Sequence, residues 1–262
     1  MPETLVVERD GALATIWMNR PDVHNAFNET VIAELDAATQ SLANDAEVRV
    51  VVLAGRGKSF SAGADLKWMQ RAAAASEAEN LLDAQRFAAM LRRIAELPKP
   101  TLARVHGAAL GGGVGLAAAC DICVASEDAS FAMTEVRLGL LPAVISPYVV
   151  RAIGVRQCLR YMQTAERISA ARAVQLGLAH EAVAAGALDE RVQALAAALC
   201  AGGPVSQAHA KRLVQALDAQ PFDDATADLT ARAIAAQRSS PEAREGLAAF
   251  FDRRSPGWVT AP

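Results

Sequence analysis

Ser61-Ala62-Gly63-Ala64-Asp65-Leu66-Lys67 and Leu110-Gly111-Gly112-Gly113-Val114-Gly115 decide the reading of this chain. Each stretch sets small residues where a backbone can approach a ligand closely and offer it N–H groups. Glycine allows such approach because it has no Cβ and tolerates positive φ. Two backbone N–H donors converging on one carbonyl oxygen make an oxyanion hole, often the largest electrostatic contribution to acyl or enolate chemistry. As a phosphate cradle the second stretch reads poorly. It lacks the Gly-Lys-Ser/Thr ending of a P-loop, and Leu116 stands where a dinucleotide fingerprint begun at Gly111 needs its last glycine.

Around these stretches the chain alternates strand and helix. Leu5-Val6-Val7 and Ala14 to Met18 flank the turn signal Asp10-Gly11 and read as a hairpin. Val31, Leu35, Ala38 and Leu42 recur at helical spacing behind Asn28, a candidate N-cap. Val48 to Leu53, apolar apart from Arg49, reads as a strand buried on both faces. An amphipathic helix over 76–97 stops at Pro98 and Pro100. A strand at Leu102 to Val105, a helix from Gly112 to Cys120 and a strand at Ile122 to Ala125 follow. This is an α/β pattern. Beyond Pro147 the chain reads as almost wholly helical, punctuated by Gly177, Gly186 and Gly202-Gly203-Pro204.

Composition excludes several functions. The formal net charge is −3 with both signs interspersed and no dense Lys/Arg run, so no nucleic-acid partner is expected. No apolar run approaches the ~20 residues of a membrane span, so no membrane association is expected either. Met1-Pro2-Glu3-Thr4 shows neither a basic nor an apolar leader region, and a cytoplasmic location is expected. Cys120 and Cys123 have a C-x-x-C spacing without a second pair, which suits two small apolar residues at a helix-to-strand passage better than zinc or redox chemistry. His106 and His180 have no Ser or Cys motif partner, and no metal-ligand spacing stands out.

Further motifs come in a fixed order. Asn19-Arg20-Pro21 and Asn25-Ala26 precede Ser59 to Leu66; Lys99-Pro100 leads to His106-Gly107 and the glycine run. Cys120-Asp121-Ile122, Glu135 to Pro142, Gly177-Leu178 and Glu245 to Phe250 complete the series. The ordered set resembles the crotonase (enoyl-CoA hydratase/isomerase) superfamily along almost the whole chain. The resemblance implies a ββα spiral core over 1–195 carrying an acyl-CoA site and a C-terminal helical oligomerisation region over 196–262. It also implies a homo-oligomer, a trimer or dimer of trimers, with no cofactor beyond the coenzyme A of the substrate.

By that resemblance the N–H groups of Ala64 and Gly112 form the oxyanion hole. Val23, His24 and Ala26, with Ala62, Gly63, Asp65, Leu66 and Gly111, lie along coenzyme A. Lys67 and Arg253 are candidate phosphate partners, Arg253 from a neighbouring subunit, though each reads equally as a solvated surface charge. Glu135 is the candidate catalytic carboxylate, in an apolar setting, Phe131 to Leu138, that would raise its pKa. A surface glutamate paired with Arg137 is the alternative.

Two positions depart from the superfamily pattern. Hydratases with two carboxylates carry a second Glu twenty residues before the first-named one, and here that position is Gly115. Glycine costs about 1 kcal/mol in a helix relative to alanine. Its expected benefit is room beside the reacting carbons, suited to a branched or carboxylated acyl group. After Pro142, Ala143-Val144-Ile145-Ser146-Pro147 replaces the usual Gly-rich turn. Residues 135–147, with Ala64 to Met69, resemble the bacterial methylglutaconyl-CoA and carboxygeranoyl-CoA hydratase-like subgroup, enzymes of leucine and acyclic-terpene breakdown. The expected reaction is hydration of a 2-enoyl-CoA such as 3-methylglutaconyl-CoA. A Δ3–Δ2 isomerase using one Glu, or a CoA-ester-binding member without turnover, are the alternatives.

Overall fold

Val50–Gly55 is buried along its whole length, and the rest of the fold is arranged around it. The computed structural model describes residues 4–218 and 220–259. Met1 to Glu3, part of the N-terminus read for targeting, lie outside the described residues. In chain order the strands and helices are β1 (Leu5–Asp10), β2 (Leu13–Met18), α1 (Glu29–Asn44), β3 (Val50–Gly55), α2 (Leu66–Ala74) and α3 (Glu77–Ala95). Next come β4 (Thr101–Val105), β5 (Ala108–Leu110), α4 (Gly112–Ala119), β6 (Ile122–Ser126) and β7 (Ser130–Ala132). Then follow α5 (Ser146–Thr164), β8 (Ile168–Ser169), α6 (Ala170–Leu176), β9 (Glu181–Val183) and α7 (Leu188–Cys200). The chain closes with α8 (Pro204–Leu217), α9 (Asp224–Arg238) and α10 (Pro241–Phe251).

The strands form a six-stranded sheet, ordered β1-β2-β3-β4-β6-β9, and a three-stranded sheet, ordered β5-β7-β8. Only β1–β2 in the larger sheet is antiparallel; β2–β3, β3–β4, β4–β6 and β6–β9 run parallel. Two successive turns of chain each place one strand in the larger sheet, the next in the smaller, and then a helix: β4-β5-α4, then β6-β7-α5. This is the ββα spiral that the motif order implied. Alternate residues of β3 divide between two cores. Val51 and Leu53 join the one beneath α1, α3 and α4. Val50, Val52 and Ala54 join the other, which Leu188, Val192 and Ala196 of α7 seal. Strands covered on both faces read as continuous hydrophobic runs, which is why β3 does.

Local chemistry sets the helix starts. Asn28 caps α1 by accepting from the Val31 N–H, and Ser76 with Glu79 forms a capping box at α3. The region after Pro147 differs from its sequence reading. β8 and β9 interrupt the helices, and β9 extends the large sheet beside β6. Strands of two and three residues carry too little periodicity to register, and their partners are distant in sequence. The 195/196 division passes through α7, whose Val192 and Ala196 share one core cluster.

The first C-terminal helix is fastened by Asp121. Its Oδ2 accepts from the Thr101 N–H (2.8 Å) and Oγ1 (3.0 Å) and from Lys211 Nζ of α8 (2.9 Å). Thr101 is buried, and the Lys211 side chain is only 10% exposed. Asp121→Ala leaves those donors without their acceptor and should lower unfolding free energy by about 2–3 kcal/mol. Urea titration with amide exchange on α8 checks this; unchanged protection there would mean that Asp121 does not hold the helix.

Candidate active site

The loop preceding α2 is stitched to its neighbours on both sides. On one side, Ser61 N–H donates to Ala108 O (3.0 Å) and Leu110 N–H donates to Ser61 O (2.8 Å). On the other, Phe27 N–H donates to Gly63 O (2.6 Å) and Asp65 N–H to Phe27 O (2.7 Å). In a parallel bridge of this kind the central residue of the triplet, Ala64, directs its own N–H away from the partner. Neither Ala64 N–H nor Gly112 N–H donates to a protein acceptor among the described residues. Ala62, Gly63 and Gly111 instead commit their N–H groups to His24 O, Ser61 Oγ and Ala132 O.

Glycine brings the two stretches together. Gly63 has φ +85°, and a Cβ there would sit 2.8 Å from Leu110 O and 3.7 Å from Gly111 Cα. A Cβ on Gly112 would meet the Phe27 ring at 3.0 Å and Phe87 at 3.1 Å. Those rings lie 5.7 Å apart and wall the start of α4. Gly112 is also the first residue of α4, where unpaired N–H groups and the helix dipole favour negative charge.

Glu135 completes the constellation. Gly111 N–H donates to Ala132 O (2.8 Å), tying the head of α4 to the end of β7. Three residues further on, a 3₁₀ turn over Glu135–Leu138 carries the carboxylate back over Gly111. A Cβ on Gly111 would stand 3.0 Å from Glu135 Oε1. Glu135 Oε2 is buried without a hydrogen-bond partner among the described residues. Burial pushes this carboxyl above its ordinary range, its own backbone N–H offsetting part of the effect. Arg137 points elsewhere, donating to Ala165 O at 3.1 Å, and forms no ion pair with Glu135.

The room expected beside Gly115 is filled. A Cβ on Gly115 would lie 2.2 Å from Ile145 Cγ2 and 2.8 Å from Ile145 Cβ. Ile145, only 2% exposed, occupies that volume. The glycine admits a neighbouring side chain instead of leaving an opening.

Other expected site residues divide by role. Asp65 caps α2 through Oδ1 and pairs with Arg20 Nη2 through Oδ2 (2.9 Å). Burial raises its pKa, but Arg20 and the helix N–H donors outweigh that and hold it below the ordinary carboxylate range. Asp65 is thus engaged inside the protein. Val23, His24, Leu66 and Lys67 are exposed along the same rim, whereas Ala26 is buried and its carbonyl accepts from Arg20 Nη1 (2.6 Å). Arg253 follows α10, and Trp258 O a few residues further on accepts from Arg49 Nη1 (3.2 Å) beside the start of β3. Among the described residues no hydrogen bond joins Arg253 to Glu135. His106 and His180 bond to Gly57 O and Cys123 N–H, and Cys120 and Cys123 are buried, burial raising the Cys123 thiol to about 12.

Residues 8–261 match the family model described as enoyl-CoA hydratase/isomerase. The chain belongs to that family. Family members with solved structures include an enoyl-CoA hydratase of Shewanella pealeana, 41% identical with a TM-score of 0.96, covering 98% of this chain and 96% of that one. Pseudomonas aeruginosa AtuE is 36% identical with a TM-score of 0.93, over 98% and 100% of the two chains. The short-chain-enoyl-CoA hydratase of Clostridium acetobutylicum is 30% identical over 256 residues, 95% of either chain. The α/β spiral is therefore the crotonase fold, and no helix among the described residues is long and apolar enough to cross a membrane.

Asn25, noted in the sequence only as part of a motif, braces the loop of the candidate site. It is buried, with φ +55°. It accepts from Arg20 N–H (2.9 Å) and donates to Arg56 O (2.9 Å) and Ser59 O (2.8 Å), while Ser61 Oγ donates to its carbonyl. Asn is among the few non-glycine residues enriched at positive φ. Asn25→Ala should cost about 2–4 kcal/mol in denaturant titration. Wild-type stability in that variant would show that the loop holds without this hub.

Proposed function

We propose that this enzyme adds water across a 2-enoyl-CoA thioester, with Glu135 as its proton-transfer group and Ala64 and Gly112 as its oxyanion donors. The observation that carries the reading is the Glu135 carboxylate lying against Gly111 with its Oε2 buried and unpaired, next to the unpaired Gly112 N–H. In this mechanism the two N–H groups hold the thioester oxygen and stabilise the enolate that forms on it. Glu135 takes a proton from water as the water oxygen bonds to C3 and the C2–C3 π bond breaks. The same carboxyl returns the proton to C2. A raised pKa suits a group that must accept and then donate a proton near neutrality. No cofactor enters this chemistry.

Coenzyme A is proposed to run along the rim formed by Val23, His24 and Ala62 to Lys67, held mainly by backbone, with Lys67 near a phosphate. Arg253 is proposed to reach the site of a neighbouring copy in a trimer-based homo-oligomer. Supporting this, Leu247, Phe250 and Phe251 of α10 and Ile234 of α9 are exposed and apolar. Light scattering showing a stable monomer at micromolar concentration would defeat the oligomer.

The finer reading, a branched or carboxylated acyl group such as 3-methylglutaconyl-CoA, keeps its support from the similarity of residues 64–69 and 135–147. Its physical argument, room at Gly115, does not survive Ile145. A Δ3–Δ2 isomerase would use the same lone carboxylate, so 3-enoyl-CoA belongs in the same assay.

Glu135→Gln should reduce turnover at least 100-fold, within the ~10²–10⁴ range of acid–base contributions, while CoA-ester binding persists. Near-wild-type turnover would refute the mechanism. Because burial raises the Glu135 pKa, the folded state binds its proton more tightly than the unfolded chain does. The stabilising effect of that proton is complete below the unfolded pKa and is lost as pH rises through the folded one. Glu135→Gln should therefore be at least as thermostable as wild type at neutral pH. The acidic limb of kcat/KM should likewise fall at a pH above the ordinary value of 4.5 for a glutamate.

A further inference from the structure

α2 begins directly after Asp65, at the end of the loop that carries Ala64, yet none of its nine residues is buried. Its position therefore depends on a few polar fastenings. The Trp68 indole N–H donates to Asp83 Oδ2 of α3 (3.1 Å), and Asn80 Nδ2 donates to Ala72 O (2.9 Å). Phe87 follows Asp83 by one helical turn on the same face of α3, and a helical side chain leans back over the turn before it. Trp68 and Phe87 are both half-buried and pack against the core cluster that holds Phe27. The buried Phe27 ring backs the Phe87 ring and closes that direction of retreat. Phe87 keeps part of its surface in the open, and its ring tip is the atom that a Cβ on Gly112 would meet. The Gly112 nitrogen is bonded to the same Cα as that Cβ would be, so the ring is a near neighbour of the Gly112 N–H.

We propose that Trp68 and Phe87 form an aromatic wall that limits this enzyme to short acyl groups, with Asp83 as the positioning residue that latches the wall. The proposal rests on the acyl-CoA reading of the site, which puts the thioester oxygen at Ala64 and Gly112. Adjacent residues at the head of α4 then face the two things an acyl group meets: Gly111 the Glu135 carboxylate, Gly112 the Phe87 ring. A short acyl group ends beside that ring. A longer one has to press Phe87 into the packed core at Phe27, or swing Trp68 and α2 away from Asp83. The first is overpacking and the second breaks one of the few bonds that hold α2.

Calorimetry with two saturated thioesters, butyryl-CoA and octanoyl-CoA, reads the wall without turnover. The proteins compared are wild type, Phe87→Ala, Phe87→Leu, Asp83→Ala and Asp83→Asn. Wild type should bind octanoyl-CoA no more tightly than butyryl-CoA. Each methylene buried in newly opened space strengthens binding about fourfold, so Phe87→Ala should shift the ratio by at least ~10-fold toward octanoyl-CoA. Phe87→Leu, the milder change should the alanine variant not fold, should shift it by at least ~3-fold the same way. Asp83→Ala should shift it in that direction too, while Asp83→Asn, which keeps an acceptor for the indole N–H, should hold the wild-type ratio. Wild type binding octanoyl-CoA ~10-fold more tightly than butyryl-CoA would overturn the wall. So would a ratio unmoved by both Phe87 variants. Equal ratios in Asp83→Ala and wild type, or a shift in Asp83→Asn as large as in Asp83→Ala, would overturn the latch. Failure of both esters to bind would overturn the acyl-CoA reading and the wall together. If the esters bind but no 2-enoyl-CoA is hydrated, the hydratase reading alone fails, and the ratios still judge the wall.

Discussion

Everything at the candidate site depends on a segment of five residues, Ser61 to Asp65, being hydrogen-bonded from two directions. Ser61 is held by β5 and Gly63 with Asp65 by Phe27, so the backbone between them has no freedom left. Ala64 is the residue whose N–H this arrangement turns outward. Preorganised donors of this kind need no reorganisation when charge develops in front of them. The buried side chain of Asn25 supports the same segment from behind, and its positive φ is sustained because the surroundings over-determine it.

The glycines divide their work by contact. Gly63 lets one loop lie on the Leu110 carbonyl, Gly111 lets a carboxylate approach the helix head, and Gly112 fits between two aromatic rings. A methyl group at any of them would push apart groups that have to meet. Strain and burial are concentrated where the chemistry is proposed, and the cost is offset by two well-filled cores on either side of the large sheet.

Much of this was legible in the sequence because it is local. Caps at Asn28 and Ser76, the run of β3 and the glycine stretches announce themselves within a few residues. Glu135 was legible through its motif and its apolar neighbours. The pairing of Ile145 with Gly115 was not, although both residues drew notice as departures. Thirty positions separate them, and only the packing of α4 on α5 shows that one fills the space of the other. The internal work of the Asp65 side chain was hidden for a related reason. Its place in a binding motif does not reveal that Arg20 and the start of α2 engage both its carboxylate oxygens. Short strands such as β8 and β9 owe their existence to partners the local sequence does not name.

The large sheet has one further property. Its strands lie in the same order as they occur in the chain, from β1 at one edge to β9 at the other. A polypeptide emerging from the ribosome would thus meet each docking edge already assembled by the residues just synthesised. No strand has to be inserted between two that have already paired. The growing edge always belongs to the newest strand, while the oldest, β1, turns an edge bearing Glu8, Arg9 and Asp10 outward. Charges on a permanent edge discourage pairing with another chain. Vectorial synthesis and protection from edge-to-edge aggregation are thereby met by one topological choice.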